Sequence, residues 1–116
     1  MLPYKELVVW KRSFKFALSV YKVVSKFPSD EKFGLQSQIK RAVVSIPSNI
    51  AEGNKRGTIK DYVSFLRIAH GSGAEIETQL MLAKELGYIP EKIFLGLEKE
   101  LEEIMRMLGT IIRKLA

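Results

Sequence analysis

Cysteine is absent from the 116 residues, which excludes disulfides, thiol nucleophiles and thiolate metal sites. A single histidine, His70, leaves little for metal chemistry. Di-iron bundles need paired Glu-x-x-His motifs, and the residue three before His70 is Arg67. No apolar run approaches the roughly 18 residues that a membrane span requires. The opening Met1, Pro3, Tyr4 and Lys5 form no apolar stretch of the signal-peptide kind. Gly71-Ser72-Gly73 is no phosphate loop, because no strand precedes it and no Gly-Lys-Ser/Thr follows. Nothing resembles a nucleophile elbow either. These absences lead to the expectation of a soluble, cytoplasmic protein that is not an enzyme, with no catalytic residues, no metal and no cofactor.

What is present is helical periodicity. Hydrophobic residues make up 47% of the chain, as in a globular domain, and the length suits one domain over residues 1–116 with one core. Leu7, Trp10, Phe14, Ala17, Tyr21 and Val24 fall on alternating steps of three and four, which predicts a first helix from about Lys5 to Lys26, ended by Pro28. Ser29 or Asp30 can cap a second helix whose seam is Leu35, Ile39, Ala42, Val43, Ile46 and Ile50, closed by Gly53 and Gly57. Thr58 and Asp61 have the spacing of a capping box for a third, with the seam Ile59, Tyr62 or Val63, Leu66, Ala69, Gly73, Ile76, Leu80 and Ala83. Gly87 is the expected stop, and Pro90 starts a fourth helix with Phe94, Leu97, Leu101, Ile104, Leu108, Ile111 and Leu115. The fold class is therefore all-α, an antiparallel up-down-up-down four-helix bundle. Pro47 inside helix two should kink it and free the Val43 carbonyl. Gly71 and Gly73 inside helix three suggest close helix approach or local packing.

The first helix carries more apolar surface than one seam needs. At about 100° per residue, Val9, Phe16, Val20, Val23 and Phe27 form a second stripe away from the seam. Phe33 and Val44, with Pro47 and Ala51, extend it on helix two. Such a patch marks an interface between copies, or else a wide core-facing arc. Charge is uneven as well: residues 1–57 carry a net +7 and the remainder −1. Lys11, Lys15, Lys22 and Lys26 gather within about 60° of one another on helix one. They are candidate nucleic-acid ligands together with Arg12, Lys40, Lys55 and Arg56, or else a solvated exterior. Gln38, Arg41, Ser45, Asn49 and Glu52 follow helical spacing beside the seam of helix two. They form either a structural polar network bridging the Pro47 break or a groove for a partner. Glu102 and Arg106 are spaced as an i,i+4 ion pair.

Part of this pattern resembles a known family. Leu7-Val8-Val9-Trp10 is similar to its opening helix. The strongest match is the run Phe33-Gly34-Leu35-Gln36-Ser37 continuing through Gln38-Ile39-Lys40-Arg41, Ser45-Ile46-Pro47-Ser48-Asn49 and Ala51-Glu52-Gly53, followed by Arg56. Phe65 to Ser72, Glu75 to Leu80 and Leu86-Gly87-Tyr88-Ile89 complete it, with Gly73 where a small or apolar residue is usual. The chain resembles the four-helix-bundle proteins encoded in intervening sequences of bacterial 23S ribosomal RNA genes. The resemblance implies a homopentamer around a central axis. It also implies a relationship to the accessory variability determinant of diversity-generating retroelements, which binds nucleic acid and a reverse transcriptase.

Two functions are expected from these readings. One is a non-catalytic oligomeric adapter binding RNA or DNA through the basic helix face. The other is a protein-interaction scaffold, for example an accessory partner of a reverse transcriptase or another protein.

Overall fold

Four helices account for most of the chain in a computed structural model that describes residues 1–116: α1 (Val8–Val24), α2 (Leu35–Lys55), α3 (Ile59–Glu85) and α4 (Glu91–Leu115). Short 3-10 turns at Tyr4–Glu6 and Ser29–Glu31 precede α1 and α2. Lys5 thus lies in a turn ahead of α1, and Lys26 lies past its end. Helix α2 is not capped by Ser29 or Asp30 as expected. It begins after Gly34, and the Glu31 carboxylate accepts the Leu35 N–H at 3.1 Å. The other Glu31 oxygen accepts the Tyr88 hydroxyl at 3.0 Å, so one carboxylate joins the start of α2 to the α3–α4 connection. Gly53 lies inside α2 instead of ending it; Gly57, with φ of +89°, turns the chain. Thr58 caps α3 by accepting the Asp61 N–H at 3.1 Å. At the other end Gly87 takes φ of +81°, its N–H reaches the Lys84 carbonyl and the Tyr88 N–H reaches Ala83, both at 2.9 Å. That is a Schellman stop, as the Gly87 position predicts.

Consecutive helices run antiparallel. Leu2 meets Asn54 while Tyr21 meets Lys40, Gly53 meets Phe65 while Ser45 meets Ser72, and Gly73 meets Met105 while Lys84 meets Glu91. Helix α4 returns against α1 and closes the bundle. Its 43 Å length follows from α3, whose 27 residues span about 40 Å at 1.5 Å each.

Twenty-three side chains form one apolar core. The seams expected of α2, α3 and α4 hold, except that Ile59 is exposed. Helix α1 is corrected. Val9, Phe16, Val20 and Phe27, expected between copies, are buried inside the protomer, and Val23 packs half-buried against the same core. From the expected seam Phe14 and Tyr21 are 48% and 40% exposed, Leu7 and Trp10 pack half-buried against the edge of the core, and Ala17 and Val24 are buried at the border. Both stripes satisfy the helical period, and the period alone does not say which faces inward. Side-chain chemistry separates them. The buried face is hydrocarbon apart from Ser13, whose hydroxyl donates to the Trp10 carbonyl at 3.0 Å, whereas the outward one carries the Trp10 N–H and Tyr21 hydroxyl, groups that need a polar partner when buried. The expected exterior stripe of helix two is outside only in part: Phe33, ahead of α2, is 90% and Val44 41% exposed, but Ala51 is half-buried and Pro47 buried.

One helix-interior glycine is a packing requirement: a Cβ on Gly53 would sit 2.6 Å from the Phe65 Cβ. One on Gly73 would meet the flexible end of Met105, which can swing aside. Gly71 has nothing within 4 Å and is not a packing site. The Phe65 Cβ is fixed to the α3 backbone, so Gly53→Ala must push α2 and α3 apart. We expect it to cost about 1–3 kcal/mol in chemical denaturation. Gly96→Ala, at an open position of α4, should instead stabilise by up to about 1 kcal/mol. Equal effects at the two positions would refute the close-packing assignment.

Candidate functional site

The outward half of α1 is divided lengthwise. On its α4 side, Lys11, Lys15, Lys22 and Lys26 form an exposed row. Lys15 borders a recess with Glu100 of α4, and Lys22 and Lys26 border another with Pro90 and Ile93. None of the four pairs with a carboxylate. Lys55 is likewise exposed and unpaired, and the Lys40 ammonium lies 5.1 Å from the centre of the Tyr21 ring.

The two arginines grouped with these lysines are differently placed. Arg12 points across to α4, where Nε donates to Glu100 Oε1 at 3.1 Å and Nη2 to Glu100 Oε2 at 2.9 Å. Glu103 takes a further bond from the same nitrogen. These bonds raise the Arg12 pKa, Glu100 contributing most, and the bond from Arg12 holds Glu103 below the usual carboxylate range. Arg56 pairs with Glu52 at 2.7 Å and lies over the Phe65 ring. Both guanidiniums are therefore tied to the bundle, and the free cations among these eight candidates are the lysines.

On the α2 side of the lysine row lies an apolar groove of about 390 Å³. Trp10, Phe14, Leu18 and Tyr21 form one wall, and Val44, Pro47 and Ala51 the other. Tyr4 closes one end, its ring edge-on to Trp10 at 5.3 Å, and Trp10 stacks obliquely on Phe14 at 5.2 Å.

The five-residue polar set of α2 is only partly connected. The Asn49 amide donates to the Ser45 carbonyl at 2.7 Å and to its hydroxyl at 2.8 Å, and Ser45 shares a 2.8 Å bond with Ser72 of α3. Ser72 was not singled out from the sequence as a member. Glu52 turns instead to Arg56, and the exposed Gln38 and Arg41 make no side-chain hydrogen bond. No member bonds the Val43 carbonyl, so the network ties α2 to α3 and does not bridge the Pro47 break. Nearby, Gln79 is buried with its Nε2 on Glu75 at 3.2 Å, while its Oε1 has no partner. Glu102 and Arg106 do not pair. A recess between α3 and α4, lined by Arg67, His70 and Arg113, was not expected. Summing charge over whole halves concealed it.

No group of three His, Asp or Glu side chains is placed to hold a metal ion, and no helix is long and apolar enough to cross a membrane. A family model described as 23S rRNA-intervening sequence protein matches residues 5–110. Among solved structures, a protein of unknown function from the S23 ribosomal protein family of Bacteroides thetaiotaomicron VPI-5482 is similar in fold, with a TM-score of 0.85 and 28% identity. The similarity covers 91% of this chain and 96% of that one. No curated protein matches.

The α1–α4 tie predicts an acid limb of stability. Because the folded pKa of Glu103 is lowered, its contribution is complete above the unfolded carboxylate range, about 4.3. It is lost as pH falls through the lower folded value. Thermal melts from about pH 7 to about pH 2 should show a shallower acid loss for Arg12→Met, which lacks the tie at every pH. Parallel pH profiles for the two proteins would show that the tie contributes nothing.

Proposed function

The chain belongs to the 23S rRNA-intervening sequence protein family, and on that premise we propose that it is a non-catalytic, homo-oligomeric, cytoplasmic adapter that binds RNA or DNA through the lysine row of α1. The observation that carries this reading is the row itself: four exposed ammonium groups without a carboxylate partner, beside a large apolar groove. The groove is the face joined between copies, since Phe14, Leu18, Tyr21 and Val44 stand exposed together around it. Its aromatic walls have the composition of interface cores. Val44 lines this face and Phe33 is exposed ahead of α2, while Val9, Phe16, Val20, Val23 and Phe27 serve the protomer core. Five copies follow from the family resemblance. Assembly repeats the lysine row around the ring and multiplies its field, with Lys40 and Lys55 adding to it. Binding is to phosphates, so it depends little on sequence and falls steeply with salt.

A second reading is favoured by the groove alone. Its aromatic lining also suits a helix of another protein, making the chain a scaffold such as an accessory partner of a reverse transcriptase.

Light scattering followed by titration of fluorescent RNA and DNA at low and moderate salt tests both. The expected result is a pentamer whose log affinity falls with log salt by about 0.9 per duplex phosphate neutralised. Lys15→Glu with Lys22→Glu should weaken binding at least tenfold and flatten that slope, by about one unit for each phosphate no longer neutralised. Phe14→Glu should yield monomers. A pentamer that binds neither nucleic acid would overturn the first reading in favour of the scaffold. A wild-type monomer would overturn assembly through the groove.

A further inference from the structure

Helix α3 has no acidic residue between Asp61 and Glu75, and α4 has none after Glu103. The antiparallel packing brings these two acid-free stretches together, with Gly73 against Met105. Beyond that contact the helices part around a recess of about 410 Å³ lined by Arg67, His70, Gly71, Gly109, Ile112 and Arg113. Neither arginine pairs with a carboxylate.

The ordinary role of an arginine in the last turn of a helix is to offset the carbonyl end of the helix dipole. Arg113 is turned away from that role. Its Nη2 donates back to the Thr110 hydroxyl at 3.2 Å, and Nη1 lies 3.3 Å from where a Gly109 Cβ would stand. The guanidinium therefore lies along the recess, over the open backbone at Gly109. Gly71, on the opposite wall, costs α3 helix stability yet packs against nothing. It leaves the floor of the recess open. Two guanidinium forks and an imidazole line one recess with no acid among its walls, a donor set suited to a tetrahedral oxyanion.

We propose that this α3/α4 cleft is a phosphate-binding site, seating one phosphate group between Arg67, His70 and Arg113. Only the source of that phosphate, a nucleic-acid backbone or a free anion, rests on the nucleic-acid reading above. The cleft lies on the α3 side of α4, beyond the Lys11 end of the lysine row.

The test is amide NMR on the full chain, titrated separately with inorganic phosphate and with a short unstructured RNA. Gly71 and Gly109 amides should shift saturably with at least one probe. Gly71→Leu keeps every charge, adds a side chain where there is room and favours the helix. It should abolish those shifts and weaken the bound probe about tenfold or more, as should Arg67→Gln with Arg113→Gln. Shifts with RNA alone assign the site to backbone phosphate; saturation by inorganic phosphate that competes with RNA assigns it to a free anion. RNA that shifts the Lys15 and Lys22 amides but leaves Gly71 and Gly109 still would overturn the cleft and keep the lysine row. Phosphate bound in the cleft with no RNA binding anywhere would keep the cleft and overturn the nucleic-acid reading. Unchanged affinity in Gly71→Leu would also overturn the cleft.

Discussion

A helix packed in a bundle turns about half its circumference inward, and α1 carries apolar side chains on more than that. One of its two stripes has to face out. Burying Val9, Phe16 and Val20 places hydrocarbon against hydrocarbon and leaves no polar atom without a partner. The remaining placements follow from that choice. Trp10, Phe14 and Tyr21 are rotated to the α2 side, where they meet Pro47 and Val44 and enclose the groove. The lysines are rotated to the α4 side, and Arg12 reaches Glu100 and Glu103. Turning α1 by a third of a revolution would bury an indole N–H and a phenol, and would carry Arg12 away from both carboxylates.

Cation chemistry then divides by residue type. The α1 and α2 arginines that find carboxylates, Arg12 and Arg56, form fixed forks that tie elements together, whereas the lysines of the same face stay hydrated. On the α3/α4 side Arg67 and Arg113 have no such acid. The protein therefore presents two kinds of positive surface: flexible point charges along α1, and planar donors set around a glycine-floored cleft. A net charge of +6 does not distinguish them.

Much of this was legible from residue spacing. Pro28, Thr58, Gly87 and Pro90 mark helix ends through backbone chemistry that acts locally, and the structure places ends within a few residues of each. The seams of α2, α3 and α4 were legible because the most continuous apolar stripe of each is the one that faces inward. What spacing could not settle depends on neighbours distant in sequence. Which stripe of α1 faces in is decided by the other three helices. The acids that occupy Arg12 lie some ninety positions away, Ser72 completes a polar pair begun on α2, and Arg67 meets Arg113 through antiparallel pairing alone. Arg12 and Arg56 were grouped with the free lysines for the same reason. The aromatic polar atoms of Trp10 and Tyr21 were the one signal in the sequence that pointed to the outward stripe.

The placement of Trp10 has a spectroscopic consequence. It is the only tryptophan, and it stands half-exposed in the groove between Tyr4 and Phe14, not in the centre of the core. Its emission therefore reports the wetness of the groove. Anything that covers that face will move the fluorescence toward the blue while the helices remain intact. A dilution series will redden it before any loss of circular dichroism if copies come apart. The protein carries its own optical gauge of occupancy, and unfolding followed by tryptophan emission alone would merge two separate events into one curve.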